Sequence, residues 1–359
     1  MRRYIYSLMT DEKKGIVAQC LKFFLFLLSL FYSLGVRIIV WCYQKRLLRS
    51  YDLDKPVISI GNLTLGGSGK TPLVERVAQE LRKHDIKPVI LIRGYMPFGN
   101  AQDNSLIPES DEAAMLAVSL RNIPVIVGRD RVRNAVGVEK TTPVDVFLLD
   151  DGFQHWRMKR NIDIVILDST NPFGNGHLIP RGILREPQSS LSRAGIFILT
   201  KTDAGKNQID VLKSQLKVFN PTALIVEAVH RPVSLIDLCD GDDELKLALL
   251  DGKVICSFCS IGDSSSFEKS LLSLGVDLKR NFSFMDHHIY DKKDIIAIIK
   301  YCQENQIRTV VTTQKDAVKL NSYRALFCES MQLLSLKIQM QFVKGEYEFF
   351  QRIFSLFNR

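Results

Sequence analysis

Several kinds of signal are missing from this chain, and each absence closes off a class. No long Lys/Arg run carries interleaved aromatics, which argues against a dedicated nucleic-acid binder. Neither an internal repeat nor a low-complexity tract is present, so solenoids and disordered linkers are set aside. The seven cysteines, at 20, 42, 239, 256, 259, 302 and 328, are odd in number and irregular in spacing. That pattern suits a reducing compartment better than a disulfide framework. Cys256-Ser-Phe-Cys259 is a CxxC, but no second pair stands at zinc-site spacing. Its apolar setting, VICSFCSI, predicts two small buried thiols at a strand end. No small-x-small site follows the long hydrophobic segment near the start, which argues against a cleaved signal peptide.

What remains is a chain of 359 residues, 46% hydrophobic and 24% charged, long enough for two domains with their own cores. The net charge of +9 asks for an anionic partner. With nucleic acid set aside, a phosphorylated ligand or an acidic membrane surface is left.

Residues 16–43, IVAQCLKFFLFLLSLFYSLGVRIIVWCY, contain only Lys22 and Arg37 as charges. A spanning helix needs about 20 apolar residues, so the segment is long enough to cross. Yet basic residues flank both sides: Arg2, Arg3, Lys13 and Lys14 before, Lys45, Arg46 and Arg49 after. An orientation rule that wants the excess on one side leaves two readings open, a spanning helix or one lying in a single leaflet. A buried core helix is the third, though FFLFLLSLF is apolar all round rather than along one stripe.

From Lys55 onward the pattern changes. PVISI reads as a buried parallel strand, VERVAQELRKH as a helix, and GNLTLGGSGKT lies between them. Thr64, Leu65, Gly66, Gly67, Ser68, Gly69, Lys70 and Thr71 then form a candidate phosphate loop. Its glycines let backbone N–H groups turn inward, and the helix N-terminus adds its positive end. Lys70 would reach the β and γ phosphates of ATP, and the Thr71 hydroxyl would hold Mg²⁺. Thr64 occupies the position where the general pattern has glycine, a departure that Gly67 could offset. Further apolar runs follow at 87–92, 123–127, 144–149, 162–167, 195–200 and 222–228. They predict an α/β fold with a mostly parallel sheet, helices on both faces and ligands at the strand C-terminal ends. One run, VFLLDD, ends in Asp150 and Asp151. Adjacent carboxylates repel unless a cation is near, so both are candidate metal ligands, with Asp151 preferred and the pair otherwise unranked. Gly152 would let the chain turn away, with Gln154 and His155 facing the same cleft.

These residues resemble the tetraacyldisaccharide 4′-kinases (lipid A 4′-kinases). The resemblance rests on VISIGNLTLGGSGKTP, the RGY at 93–95, SDEAAMLA (110–117), LLDDGFQH (148–155), NPFGNGHLIPRGILREP (171–187), FMDHHIY (284–290) and TTQKDAVKL (312–320). Thr64 fits the form of that family. Ser110, Gln314 and SIGDSSSF depart mildly from it, and Gln314 makes an ionic role at its position doubtful. The resemblance implies ATP-dependent phosphorylation of the 4′-hydroxyl of a tetraacylated glucosamine disaccharide 1-phosphate. It implies an enzyme at the cytoplasmic face of the bacterial inner membrane, with no obligate protein partner. It also implies a catalytic pair, Asp111 and His287, with His288 as the rival histidine. A carboxylate oriented by a histidine suits the task, since a sugar hydroxyl is a weak nucleophile whose proton must go somewhere. Arg93, Gln154, His155, Asn175 and Arg181 are candidate substrate ligands, with Arg157 and Arg185 nearby in the motifs. Arg129, Arg131 and Arg133 form an alternating basic run, and half or more of all these arginines are expected on the solvated surface.

The expected organisation is a membrane-associated helix region (1–50), a phosphate-loop kinase domain (51–230), a smaller α/β lobe (231–345) and a C-terminal helix (346–359) packing back on the first domain. Closure of a cleft between lobes would bring His287 toward Asp111. The competing reading is a GTPase or nucleotide-dependent membrane chaperone, because Thr200-Lys201-Thr202-Asp203 resembles a guanine-reading NKxD. Against it, the glycine after Asp150 and Asp151 comes too early for DxxG.

Overall fold

The computed structural model describes residues 2–66, 69–94, 111–120, 122–205, 208–241 and 243–357. The chain forms two compact units. The first comprises Met1–Arg93, Leu120–Val229 and Met340–Arg359. Gly94–Ser119 and His230–Gln339 make up the second. The continuous span 51–230 drawn from sequence is therefore interrupted, because the helix Asp111–Ser119 groups with the second unit.

In the first unit the apolar runs become strands buried on both faces. Their order across the sheet is Val125–Val127, Pro88–Ile92, Val146–Asp150, Val57–Asn62, Ile162–Asp168, Ile196–Thr200 and the start of Leu224–Asp237, every pairing parallel. Ile60 lies opposite Asp150 in the register, so the acidic doublet ends the strand beside the one that feeds the phosphate loop. Helix Lys70–Lys83 starts directly after Gly69 and buries Leu73, Val77 and Leu81 with Val74 and Ala78, an i, i+4 stripe. The C-terminal helix Glu346–Phe354 belongs to this unit, where Glu346 pairs with Arg76 at 2.9 Å and Phe354 packs on His84.

The N-terminal segment forms helix Arg2–Met9 and then helix Ile16–Gln44. Only Ala18 and Ser29 of the longer helix are buried, while Phe23, Phe31 and Leu34 are exposed. The core-helix reading is thus overturned. By length and composition this helix could cross a membrane. Polar contacts tie it to the rest of the unit, beside ring contacts of Phe26 with His177 and of Tyr43 with Trp156. Asp11 meets Lys22 at 2.6 Å, Arg181 at 2.9 Å and Asn175 at 2.9 Å. Burial works against the Asp11 charge, but these three partners outweigh it and bring its pKa down to about 2. Further along, the Tyr32 hydroxyl donates to the Arg185 carbonyl at 2.9 Å.

In the second unit parallel strands pair in the order Asp277–Ser283, Val254–Cys259, Thr309–Thr313 and the first part of Gln332–Lys344. A short antiparallel pair, Leu235–Ile236 with Glu244–Leu245, flanks it. Helices Ser264–Leu272 and Lys292–Glu304 turn apolar faces inward, and Phe258, Phe327 and Ile298 lie in the core. Cys256 and Cys259 are buried free thiols, as their setting predicted. The expectation of wholly reduced cysteines needs correction. Cys239 and Cys328 form a disulfide across 89 residues, a pairing that no local spacing announces.

Candidate active site

The phosphate loop leaves the buried strand Val57–Asn62 and returns into the helix at Lys70. Gly66 (φ +113°) and Gly69 (φ +84°) take backbone conformations open to glycine but rarely to L side chains. Thr64 bridges to Leu184, and the Leu65 N–H donates to the Ile183 carbonyl at 2.8 Å. The segment PRGILREP is thereby held against the start of the loop. Thr71 sits half-buried in the first helical turn. Gly67 and Ser68, also assigned to this loop, lie outside the described residues.

Around the loop a cationic cluster grips one carboxylate. Lys70 Nζ lies 3.3 Å from Asn62 Oδ1 and 3.6 Å from Asp151 Oδ1. Arg185 Nη1 donates to both oxygens of Asp151 at 2.8 Å. Burial raises the cost of charge on Asp151, yet Lys70 and Arg185 more than offset it and hold the pKa below the ordinary carboxylate value. Asp151 itself has φ +50°, in the left-handed region that non-glycine residues seldom occupy. Gly152 follows, where a Cβ would stand 2.7 Å from Ser59 Oγ and from Leu149 Cβ. Its glycine thus serves close approach to the neighbouring strand as well as the turn. Asp150 is almost fully buried at the strand end.

Arg131, one of the alternating basic run, is 3% exposed, donating to the Asp150 carbonyl at 2.9 Å and the Asp151 carbonyl at 3.3 Å. Gln154 is also part of this scaffold, bonded to the Asn62 carbonyl at 3.0 Å and to Arg185 at 3.3 Å. His155 lies in an arginine-rich surround. Burial first, then the charges of Arg131, Arg160 and Arg157, push its pKa down to about 4. Asn175 and Arg181 turn to Asp11 of the N-terminal segment, so the structure gives both an anchoring task. Arg93 is exposed at the end of its strand.

A second cluster is built wholly within the second unit. Asp111 opens helix Asp111–Ser119, which packs against the short helix Gln314–Ala317. Its Oδ2 lies 3.3 Å from His287 Nδ1 and 3.0 Å from Lys319 Nζ. Burial opposes ionisation of Asp111, but the His287 and Lys319 contacts prevail and lower its pKa. The same hydrogen bond raises the pKa of His287. His287 has φ +61°, so here too a non-glycine residue sits in the left-handed region. The rival histidine is occupied elsewhere: His288 Nε2 meets Asp294 Oδ2 at 2.7 Å, and its ring stacks on Phe284. Lys315 bridges Glu112 at 3.2 Å and Asp286 at 2.9 Å beside the pair. Although burial works against its charge, those two carboxylates raise its pKa.

Sequence reasoning missed Asn62, Arg131, Lys315 and Lys319 as members of these clusters. Asn62 lay within VISIGNLTLGGSGKTP, and Lys315 and Lys319 within TTQKDAVKL, but none was singled out there. The guanine-reading alternative finds no support in the geometry. Lys201 is paired with Asp168 at 2.6 Å, and the buried Thr202 hydroxyl donates to the Ala228 carbonyl.

The comparisons with known proteins agree with this layout. A family model described as LpxK, tetraacyldisaccharide-1-P 4′-kinase, matches residues 21–357. The chain belongs to this family. A tetraacyldisaccharide 4′-kinase of Syntrophus aciditrophicus is 38% identical over 309 residues, covering 81% of this chain and 82% of the relative. Another, from Desulfatibacillum aliphaticivorans, is 32% identical over 366 residues and covers 96% and 95%. The crystal structure of LpxK from Aquifex aeolicus in complex with ATP superposes with a TM-score of 0.73 at 26% identity, over 94% of this chain and 99% of that one. The chain is therefore an ATP-dependent kinase of lipid A biosynthesis with a P-loop-type α/β fold, and the GTPase alternative is not favoured.

Proposed function

We propose that the two clusters divide the phosphorylation of the lipid-borne 4′-hydroxyl between them. ATP takes the glycine loop; the Aquifex relative was solved in complex with ATP. Its β and γ phosphates draw Lys70 away from Asn62 and Asp151, the contacts it now makes. The oxygen donors of Thr71, Asp150 and Asp151 fit Mg²⁺, a hard cation that binds one or two carboxylates together with phosphates. Arg185 and Lys70 keep Asp151 ionised for that purpose. When bound, the ion neutralises charge on the phosphates being transferred.

Asp111 is the base. Its carboxylate, ionised and oriented by His287, accepts the proton of the sugar 4′-hydroxyl as that oxygen attacks the γ-phosphorus. The single observation that carries this reading is the meeting of Asp111 and His287 at 3.3 Å, from segments far apart in the chain. The hydrogen bond to Asp111 raises the pKa of His287 and so favours its protonated form. The acylated substrate is presented at a membrane surface against which the exposed apolar residues of helix Ile16–Gln44 lie, on the cytoplasmic side. Arg93 and His155 are the motif residues left for contact with the substrate headgroup.

The test uses purified protein, Mg²⁺ and labelled ATP with the tetraacyldisaccharide 1-phosphate in detergent. Label should appear on the 4′ oxygen, and Asp111→Asn should cut turnover by roughly 100-fold to 10,000-fold, the usual range for a general base. Binding of an ATP analogue should be preserved. An Asp111→Asn protein that turns over at the wild-type rate removes Asp111 from the mechanism.

A further inference from the structure

We propose that Lys319 is the positioning residue of the proposed base: from a buried polar cage at the ends of two strands it fixes the Asp111 carboxylate so that one oxygen faces the incoming hydroxyl. The inference rests on Asp111 being the base, and neither the family description nor the histidine partnership assigns it.

Consider first how Lys319 is held. It follows the short helix Gln314–Ala317, and its side chain is only 10% exposed. Nζ donates to Ser260 Oγ at 2.7 Å, to the His288 carbonyl at 3.2 Å and to Asp316 Oδ1 at 3.3 Å, besides its 3.0 Å contact with Asp111 Oδ2. An ammonium group has three protons. Four acceptors around it saturate them and leave the group little freedom to swing.

The cage is itself rigidly built. Asp316 is fully buried. Its carboxylate accepts from the Ser260 N–H at 2.9 Å, from the Ser260 hydroxyl, and from the Thr313 hydroxyl at 2.7 Å. Thr313 caps the short helix by accepting the Asp316 N–H. Ser260 follows strand Val254–Cys259 and Thr313 ends strand Thr309–Thr313, which are parallel neighbours. Strand ends in an open parallel sheet are the usual place for a functional side chain. Burying a carboxylate costs least when it is both hydrogen-bonded and paired, and Lys319 is the partner here.

The geometry at Asp111 then gains a meaning. His287 and Lys319 both approach Oδ2. Two fixed donors on one oxygen set the plane of the carboxylate and assign Oδ1 to the proton. His287 is the weaker anchor, since it stands in a half-exposed turn, whereas Lys319 is bolted to the sheet. The charged groups around Asp111 are His287, Lys319 and Lys315, with Glu112 and Asp286 balancing Lys315.

The experiment compares Lys319→Met, which keeps the stem and loses the charge, with Lys319→Ala, which opens room for a small amine. Thermal melting and binding of an ATP analogue certify that each variant is folded. Turnover should fall about 30-fold or more in both, with KM for ATP and for the lipid within about threefold, because the loss lies in orienting the base. The acid limb of the Lys319→Met kcat profile should move to higher pH, as Asp111 loses a cation. Added methylamine or ethylamine should restore turnover to Lys319→Ala, while ethanol of similar size should not. Wild-type turnover and an unmoved acid limb in folded Lys319→Met overturn the inference. So does a folded, inactive Lys319→Ala that no amine rescues, since that marks a merely structural role. Asp111→Asn is run alongside. If it stays active, the base itself is misassigned and the inference goes with it. If it is inactive while Lys319→Met is not, the inference alone is lost.

Discussion

Two carboxylates, one in each unit, are held ionised by different means. Asp151 is gripped by Arg185 and Lys70, a guanidinium and an ammonium. Asp111 is gripped by Lys319 and by His287, and a histidine titrates near neutrality. Of these four partners only the histidine is of a type that ordinarily titrates near neutrality, so the Asp111 cluster is the one expected to respond to pH. Backbone geometry draws a parallel between them, because each has a left-handed non-glycine residue at its centre, Asp151 and His287. Such conformations persist only where the surroundings over-determine them, which both cages do.

The comparison is broken most severely at Lys70. Lys70→Met should lower turnover by about 1,000-fold, since this side chain stabilises charge that develops on the phosphates. That loss should be the same at pH 6 and pH 8.5, and a rate assay at both pH values checks it. A pH-dependent loss would mean that the two clusters do not differ as argued.

His287→Asn should cost less, about 10-fold to 100-fold near pH 7, and its signature is the pH profile. The raised pKa of His287 means that the folded state gains from its proton; this gain is complete below the unfolded value of about 6.5 and fades as pH rises through the folded value. The lowered pKa of Asp111 contributes stability above its unfolded value of about 3.9, and this is lost as pH falls through the folded value. The pair therefore stabilises the second unit between those limits. Thermal melts of wild type and His287→Asn should differ most near pH 5.5 and converge by pH 9. Equal differences at both would contradict the assigned shifts.

Asp316→Ala isolates the cage from the chemistry. It leaves Lys319 and two hydroxyls without their buried anion and should cost about 3–5 kcal/mol. Urea unfolding followed at a second-unit probe would measure it, and a change under about 1 kcal/mol would show the cage to be incidental. Smallest of all is Tyr32→Phe. Losing one hydrogen bond to the Arg185 carbonyl should cost about 1 kcal/mol and move turnover by no more than about fivefold.

What the sequence made legible differs between the clusters for a physical reason. Buried parallel strands must be apolar on both faces, so Val57–Asn62, Val146–Asp150 and Ile196–Thr200 stand out as runs. Lys70 and Thr71 are contiguous because a helix N-terminus and a glycine turn are local structures. Asp111, His287 and Lys319 meet through folding of the whole second unit, and no local pattern announces that. Family resemblance supplied the first two; nothing singled out the third. Which arginine of 129, 131 and 133 turns inward was not legible, because residues two apart in helix Arg131–Glu139 face different ways and an alternating basic run is not one surface. Asn175 and Arg181 find Asp11 across 164 and 170 residues, a distance over which spacing carries no information. For Cys239 and Cys328 the same holds.

The Tyr32 contact carries a mechanical meaning. One residue, Arg185, receives the hydroxyl of the long apolar helix at its carbonyl and spends its guanidinium on Asp151. Whatever the greasy flank of that helix rests on is therefore coupled, through a single peptide unit, to the carboxylate beside the nucleotide lysine. With that helix on lipid, as proposed, thickness or fluidity of the bilayer would become an input to catalysis, and the choice of detergent would cease to be a neutral detail of the assay.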